Sequence, residues 1–135
     1  MIVLDNDIAV KFLREDDELV KSHLSQYSGD AWAIPSLVSF EFFQHYDRLK
    51  VVARTKQKLQ QVFDEILPFT AEVAVEAWRI NDLLESQNVS LEPLDLLNLA
   101  TSQEVGATFV THNKNDFDKP PLHELIDVDV VYTSD

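Results

Sequence analysis

Short apolar runs separated by stretches of helical period dominate this sequence, and that alternation sets its fold class. Ile2-Val3-Leu4, Trp32-Ala33-Ile34-Pro35, Ala107 to Thr111 and Val128 to Tyr132 have the length and the β-branched or aromatic content of strands. Ile66 to Phe69 is a further brief extended piece. Between them the spacing predicts helices. The first runs to about Leu13, capped by Asn6 or Asp7, and the second is opened by Asp16, with Leu19, Val20 and Leu24 on one face. A third is capped by Ser36 and runs through Val38, Phe42, Phe43 and Tyr46, and a fourth covers residues 55–66 through Leu59, Val62, Phe63 and Ile66. Thr70 caps a fifth ending near Ser86, and Pro93 sits at the first position of a sixth that stops at Gly106. Residues 113–118 form a polar loop or short helix. Strands alternating with helices imply an α/β fold: a three-layer α/β/α sandwich around a mainly parallel sheet of four to five strands.

At 135 residues, with only two Gly and five dispersed Pro, the chain shows no linker or repeat, so residues 1–135 are expected to form a single domain. The absence of Cys excludes disulfides, thiolate zinc sites and a Cys nucleophile, and fits a reducing cytoplasm. A charge at the fifth residue argues against a signal peptide, and no apolar run approaches the length of a membrane span. A soluble, cytoplasmic protein is expected. The net charge of −13 argues against a nucleic-acid partner unless bound cations or a salt-rich cytoplasm offset it.

In an open α/β sheet the functional crevice lies at the carboxyl ends of the strands, and acids fall at those ends. Asp5 follows the first strand, and Asn113 and Asp116 follow the strand ending at Thr111. Asp95 lies in the first turn of the helix feeding that strand, and Glu41 is in the second turn of the helix after the second strand. Three or four carboxylates without Cys or His suit Mg²⁺ or Mn²⁺, and such ions activate water for phosphodiester hydrolysis. Taken singly, each acid has a simpler reading: Asp5, Asn6 and Asp7 as helix caps, Asp95 as compensation for a helix dipole, Glu41 as a solvated helix position, Asp116 as a turn acid.

Taken in order, the segments resemble the PIN family, and the VapC toxins in particular. Val3-Leu4-Asp5 resembles the opening strand with its first catalytic Asp, and Ile34-Pro35-Ser36-Leu37-Val38-Ser39-Phe40-Glu41 the segment with the family's Glu. Glu92-Pro93-Leu94-Asp95-Leu96-Leu97-Asn98-Leu99-Ala100 is similar to the third acidic motif, and Gly106-Ala107-Thr108-Phe109-Val110-Thr111-His112-Asn113-Lys114-Asn115-Asp116-Phe117 to the closing one. The resemblance implies a single PIN domain with Mg²⁺- or Mn²⁺-dependent endoribonuclease activity on tRNA, rRNA or mRNA. It also implies a homodimer, inhibition by a small cognate antitoxin, and Asp5, Glu41, Asp95 and Asp116 as catalytic metal ligands. Two departures stand out. Asn6-Asp7 replaces the usual hydroxyl residue and its neighbour, so Asp7 is either an extra ligand or a cap. Asn113 stands where an acid is often found, which passes the fourth carboxylate to Asp116 and leaves Asn113 to hold a water or a phosphate.

Two other readings compete. Ile2-Val3-Leu4-Asp5-Asn6-Asp7 resembles the opening of haloacid-dehalogenase-type phosphatases, with Asp5 as nucleophile, but Ala9 occupies the usual Thr position and the closing Gly-Asp pattern is missing. A catalytically silent PIN-like binding module would have no need of mutually repulsive acids. Arg48, Lys50, Arg54, Lys56 and Lys58 fall within eleven positions and form the candidate RNA-contacting strip, with an ordinary solvated helix face as the alternative. Phe40, Phe43 and Tyr46 are assigned to the core, and His23, His45, His112 and His123 to surface or packing roles, since none has metal-site spacing.

Overall fold

The computed structural model describes residues 1–113 and 117–132. Five parallel strands, β1 (Ile2–Leu4), β2 (Trp32–Pro35), β3 (Glu65–Leu67), β4 (Thr108–Thr111) and β5 (Val128–Val130), form one sheet in the order β3-β2-β1-β4-β5. β1 is central, with Ile2 in register with both Trp32 and Thr108. The order reverses across β1, which opens a crevice at the carboxyl ends of β1 and β4.

Successive residues of a strand point to opposite faces, so β1 serves two cores. Val3, Ala33 and Phe109 pack beneath α5 (Ala71–Ser86), α6 (Pro93–Glu104) and α7 (Pro120–Leu125), through Ile80, Leu84, Leu99 and Leu122. Ile2, Leu4, Ile34 and Val110 pack on the other side against α1 (Asn6–Leu13), α2 (Glu18–Leu24), α3 (Ser36–Phe43) and α4 (Leu49–Val62), through Ile8, Val20, Val38 and Leu59. Burying each such aliphatic side chain contributes about 1.5–3 kcal/mol. The α/β/α layering expected from the sequence is therefore present. Among the described residues no helix is long and apolar enough to cross a membrane.

Several boundaries differ from the sequence expectation for local reasons. Asp5 caps α1 by accepting from the Asn6 amide, so neither Asn6 nor Asp7 is the cap. Asp17 caps α2 through the Leu19 and Val20 amides, while Asp16 takes a positive φ of 51° in the preceding turn. Pro35, whose φ of −64° suits the entry to a helix, holds the cap position of α3, and Ser36 is its first residue. The helix α4 starts at Leu49, well before residue 55, and ends at Val62, because Ile66 is drawn into β3 opposite Ile34. The short helix α7 was not anticipated. Thr70, Pro93 and Gly106 act as expected: Thr70 accepts from the Val73 amide, Pro93 opens α6, and Gly106 follows it at φ 70°. The assignment of Phe40 and Tyr46 to the core is corrected, while Phe43 packs against the edge of the core. Phe40 is 56% exposed, Tyr46 lies at the surface and Phe43 is half-buried, whereas Phe42 is the core ring.

Candidate active site at the carboxyl ends of β1 and β4

Asp5 is held at the centre of this edge from both sides. Its amide donates to the Val110 carbonyl at 2.9 Å, one side-chain oxygen accepts from the Asn6 amide at 2.8 Å, and the other from the Thr111 hydroxyl at 2.9 Å. The Thr111 hydroxyl also accepts from the Asn113 amide at 3.1 Å, so Asn113 braces the loop that follows β4. Both Asp5 and Thr111 are buried. Burial, then the neighbouring Asp7 charge and, more weakly, Asp95, push the Asp5 carboxyl well above its ordinary range, against the lowering effect of its two hydrogen bonds.

Asp7, in the first turn of α1, accepts from the Ile8 amide at 2.8 Å and more loosely from the His112 amide at 3.4 Å. Burial raises its pKa too, partly offset by those amides and by the His112 and Lys11 charges. Glu41, on the inner side of α3, is half-buried and accepts from the Asn98 amide group of α6 at 3.4 Å. Burial is the main cause of its raised pKa, the Asn98 contact lowers it, and the charges of Asp95 and Asp7 raise it further. Asp95 is half-buried in the first turn of α6 and acts electrostatically on both Asp5 and Glu41. The structure thus places Asp5, Asp7, Glu41 and Asp95 within one another's fields. Asp116, the fourth expected acid, lies outside the described residues.

Sequence reasoning had left Asp7 between two roles and had not singled out Asn98. A signal for Asn98 existed: it lies three residues after Asp95, on the same face of a helix otherwise apolar there. Its side-chain oxygen and that of Asn6 are buried without a hydrogen-bond partner. Among the described residues no group of three His, Asp or Glu side chains is arranged to hold a metal ion. The donor chemistry nonetheless fits a hard divalent cation, since every group is an oxygen donor, the acids raise one another's pKa, and two amide oxygens lack donors.

The basic residues lie on α4 and at its start, and α4 packs beside α3. Arg48, Lys50, Arg54, Lys56 and Lys58 are all exposed, and Lys50, Arg54 and Lys58 recur at intervals of four along α4. Arg14, at the end of α1, donates to the Phe42 carbonyl at 3.0 Å and stacks over the Phe42 ring at 4.4 Å. Of the four imidazoles, His23 and His123 meet Asp129 and Asp118, His112 Nδ1 lies 2.9 Å from the Val131 carbonyl, and His45 is exposed.

The family model described as PIN domain matches residues 2–121. No curated protein matches the sequence significantly. Among solved structures, the chain resembles one in VapBC2 from Rickettsia felis bound to a DNA fragment from their promoter, with a TM-score of 0.73 and 19% identity over 96% of this chain and 98% of that one. FitAcB from Neisseria gonorrhoeae gives a TM-score of 0.75 and 20% identity, covering 95% and 96% of the two chains. A toxin-antitoxin complex from Klebsiella pneumoniae gives 0.74 and 19%, covering 98% of each. At these identities the likeness is one of fold.

Proposed function

Since the chain belongs to the PIN domain family, we propose that it is a divalent-metal-dependent endoribonuclease that hydrolyses RNA phosphodiester bonds, acting as the toxin of a toxin-antitoxin pair. The observation that carries this reading is the concentration of Asp5, Asp7, Glu41 and Asp95 on one rim of the sheet, with the pKa values of Asp5, Asp7 and Glu41 all raised. Acids so placed cost stability unless a cation joins them, which favours a catalytic centre over a silent binding module. The phosphatase reading of Asp5 gives way to the family match, which spans nearly the whole chain.

In this reading Asp5, Asp95, Asp116 and Glu41 would hold Mg²⁺ or Mn²⁺, with Asp7 as a further oxygen donor. Bound there, the ion would supply positive charge near a phosphate and acidity to water. Thr111 fixes the orientation of Asp5, and Asn98 restrains Glu41. The structural neighbour described as a toxin-antitoxin complex supports a small cognate antitoxin as partner. A homodimer and a cytoplasmic location belong to the same reading.

The test is incubation of purified protein with tRNA and rRNA across Mg²⁺ and Mn²⁺ titrations. Metal-dependent internal cleavage, lost in Asp5→Asn and Asp95→Asn, is expected. Intact RNA in both metals, or cleavage unchanged in both variants, defeats the proposal. RNA bound but never cleaved by the wild type points instead to the binding module. Co-expression of a short adjoining reading frame should relieve any growth arrest the protein causes.

A further inference from the structure

On α3, Ser36, Ser39 and Phe43 recur at intervals of three and four and so share one face. Lys56 and Gln60, four apart on α4, stand opposite, and with Ile66 of β3 these residues line a cleft of about 340 Å³. Three of its features are not explained by packing. The Ser39 residue is 5% exposed and its hydroxyl has no hydrogen-bond partner. No side chain caps α3, so its first-turn amides are left to water or a ligand, at the positive end of the helix dipole. Lys56 is exposed, and among the described residues no ion pair occupies it.

A hydroxyl, an ammonium, a carboxamide and a helix N-terminus around one space, with no carboxylate in the lining, select an anion with several acceptor oxygens. The cleft also shares a rim with the acids. Ser36 follows β2 as Asp5 follows β1, and those strands are neighbours. Glu41 is two residues beyond Ser39, which turns it by about 200° to the other side of α3, where it meets Asn98. The helix therefore divides an acidic side from a donor side, separated by about 10 Å, the width of a helix.

We infer that the α3–α4 cleft is a subsite for a backbone phosphate of the RNA, held by Lys56, Gln60 and the first amides of α3 beside the scissile bond, with the buried, unpartnered Ser39 hydroxyl turning outward to donate to it. The inference rests on the ribonuclease reading above. It also answers a physical difficulty of that reading: a chain of charge −13 repels a polyanion, and a donor-lined cleft anchors one phosphate without requiring a broadly basic surface. It adds neutral donors to what the sequence offered as an exposed basic strip, and it separates Lys56 from Lys50, Arg54 and Lys58.

The experiment measures binding of a fluorescent single-stranded RNA to the Asp95→Asn protein by anisotropy over a range of salt. Lys56→Gln should weaken binding about tenfold at low salt and reduce the slope of log K against log salt by about one unit. Ser39→Ala should weaken it roughly fivefold with the slope unchanged. Gln60→Glu, an exposed position, should weaken it at least as much as Lys56→Gln. Inorganic phosphate titrated into the wild type should shift the amide resonances of Ser36 to Ser39. Wild-type binding in all three variants overturns the subsite, as does a loss confined to Lys56→Gln, which would make that residue one charge of the strip. A polyglutamate peptide that binds the cleft where RNA does not also overturns it, in favour of an acidic protein partner. RNA neither bound nor cleaved by the unmodified protein removes the ribonuclease reading itself. Normal cleavage with variants indifferent to the cleft removes only the subsite.

Discussion

Two places in this molecule draw carboxylates out of water, and they do it in opposite ways. At the edge strand β5, Asp129 receives the Tyr27 hydroxyl at 2.5 Å and the His23 ring nitrogen at 2.8 Å on the same oxygen, tying β5 to the α2 layer. Burial and the Asp129 carboxylate together push the Tyr27 hydroxyl's pKa up, so Tyr27 stays a donor. At the carboxyl ends of β1 and β4, Asp5 also has two donors, but its nearest charged neighbours are further acids, and its own pKa rises. An acid matched by donors holds the fold together. An acid crowded by acids weakens the bare fold and is explained by what it binds.

The largest effect that sharpens this contrast is catalytic. Asp95→Asn or Asp5→Asn should lower metal-dependent RNA cleavage by roughly a thousandfold or more, since the charge that holds and directs the cation is lost, and single-turnover kinetics would measure it. Asp129→Ala should leave cleavage per folded molecule unchanged while costing about 2 kcal/mol of stability in urea melts, because Tyr27 and His23 lose their acceptor. A loss of activity in Asp129→Ala without loss of stability would break the contrast. Thr111→Val is a smaller test. It removes the hydroxyl that orients Asp5, and about a tenfold fall in cleavage with little change in RNA affinity is expected.

The layered fold was legible in the sequence because each of its causes is local. Three apolar residues before Asp5, Thr70 ahead of a helical period, Pro93 at a helix start and Gly106 at its end each act within a few positions. What was not legible depends on which faces meet. Phe40 and Phe42 are two apart on α3 and point to nearly opposite sides, so an aromatic stretch alone did not identify the core ring. Ile66 stood both in a helical spacing from Leu59 and Phe63 and at the head of an extended piece, and only its pairing with Ile34 decides for the strand. The acids at positions 5, 41 and 95, which the structure brings within one another's fields, were singled out from their place in the topology and their motifs. Asn98 against Glu41, and Tyr27 and His23 against Asp129, join residues 57, 102 and 106 positions apart, which no local period encodes.

The smallest predicted effect is also the most direct test of the crowded acids. In metal-free protein, Asp5→Asn should raise Tm by a few degrees at pH 7, as judged by scanning calorimetry. The sign follows from linkage. The folded-state pKa of Asp5 lies above its unfolded value near 4, so the unfolded chain releases this proton first and the wild type loses stability as pH rises through the raised folded pKa. Well below pH 4 the carboxyl is protonated in both states, and the advantage of the amide should vanish. The amide can keep both local contacts, accepting from the Asn6 amide and donating to the Thr111 hydroxyl, so the comparison isolates the charge. Added Mg²⁺ should reverse the order by stabilising the wild type more than the variant. A variant no more stable than the wild type at pH 7 would mean that Asp5 is satisfied as Asp129 is, and the distinction between the two sites would fall.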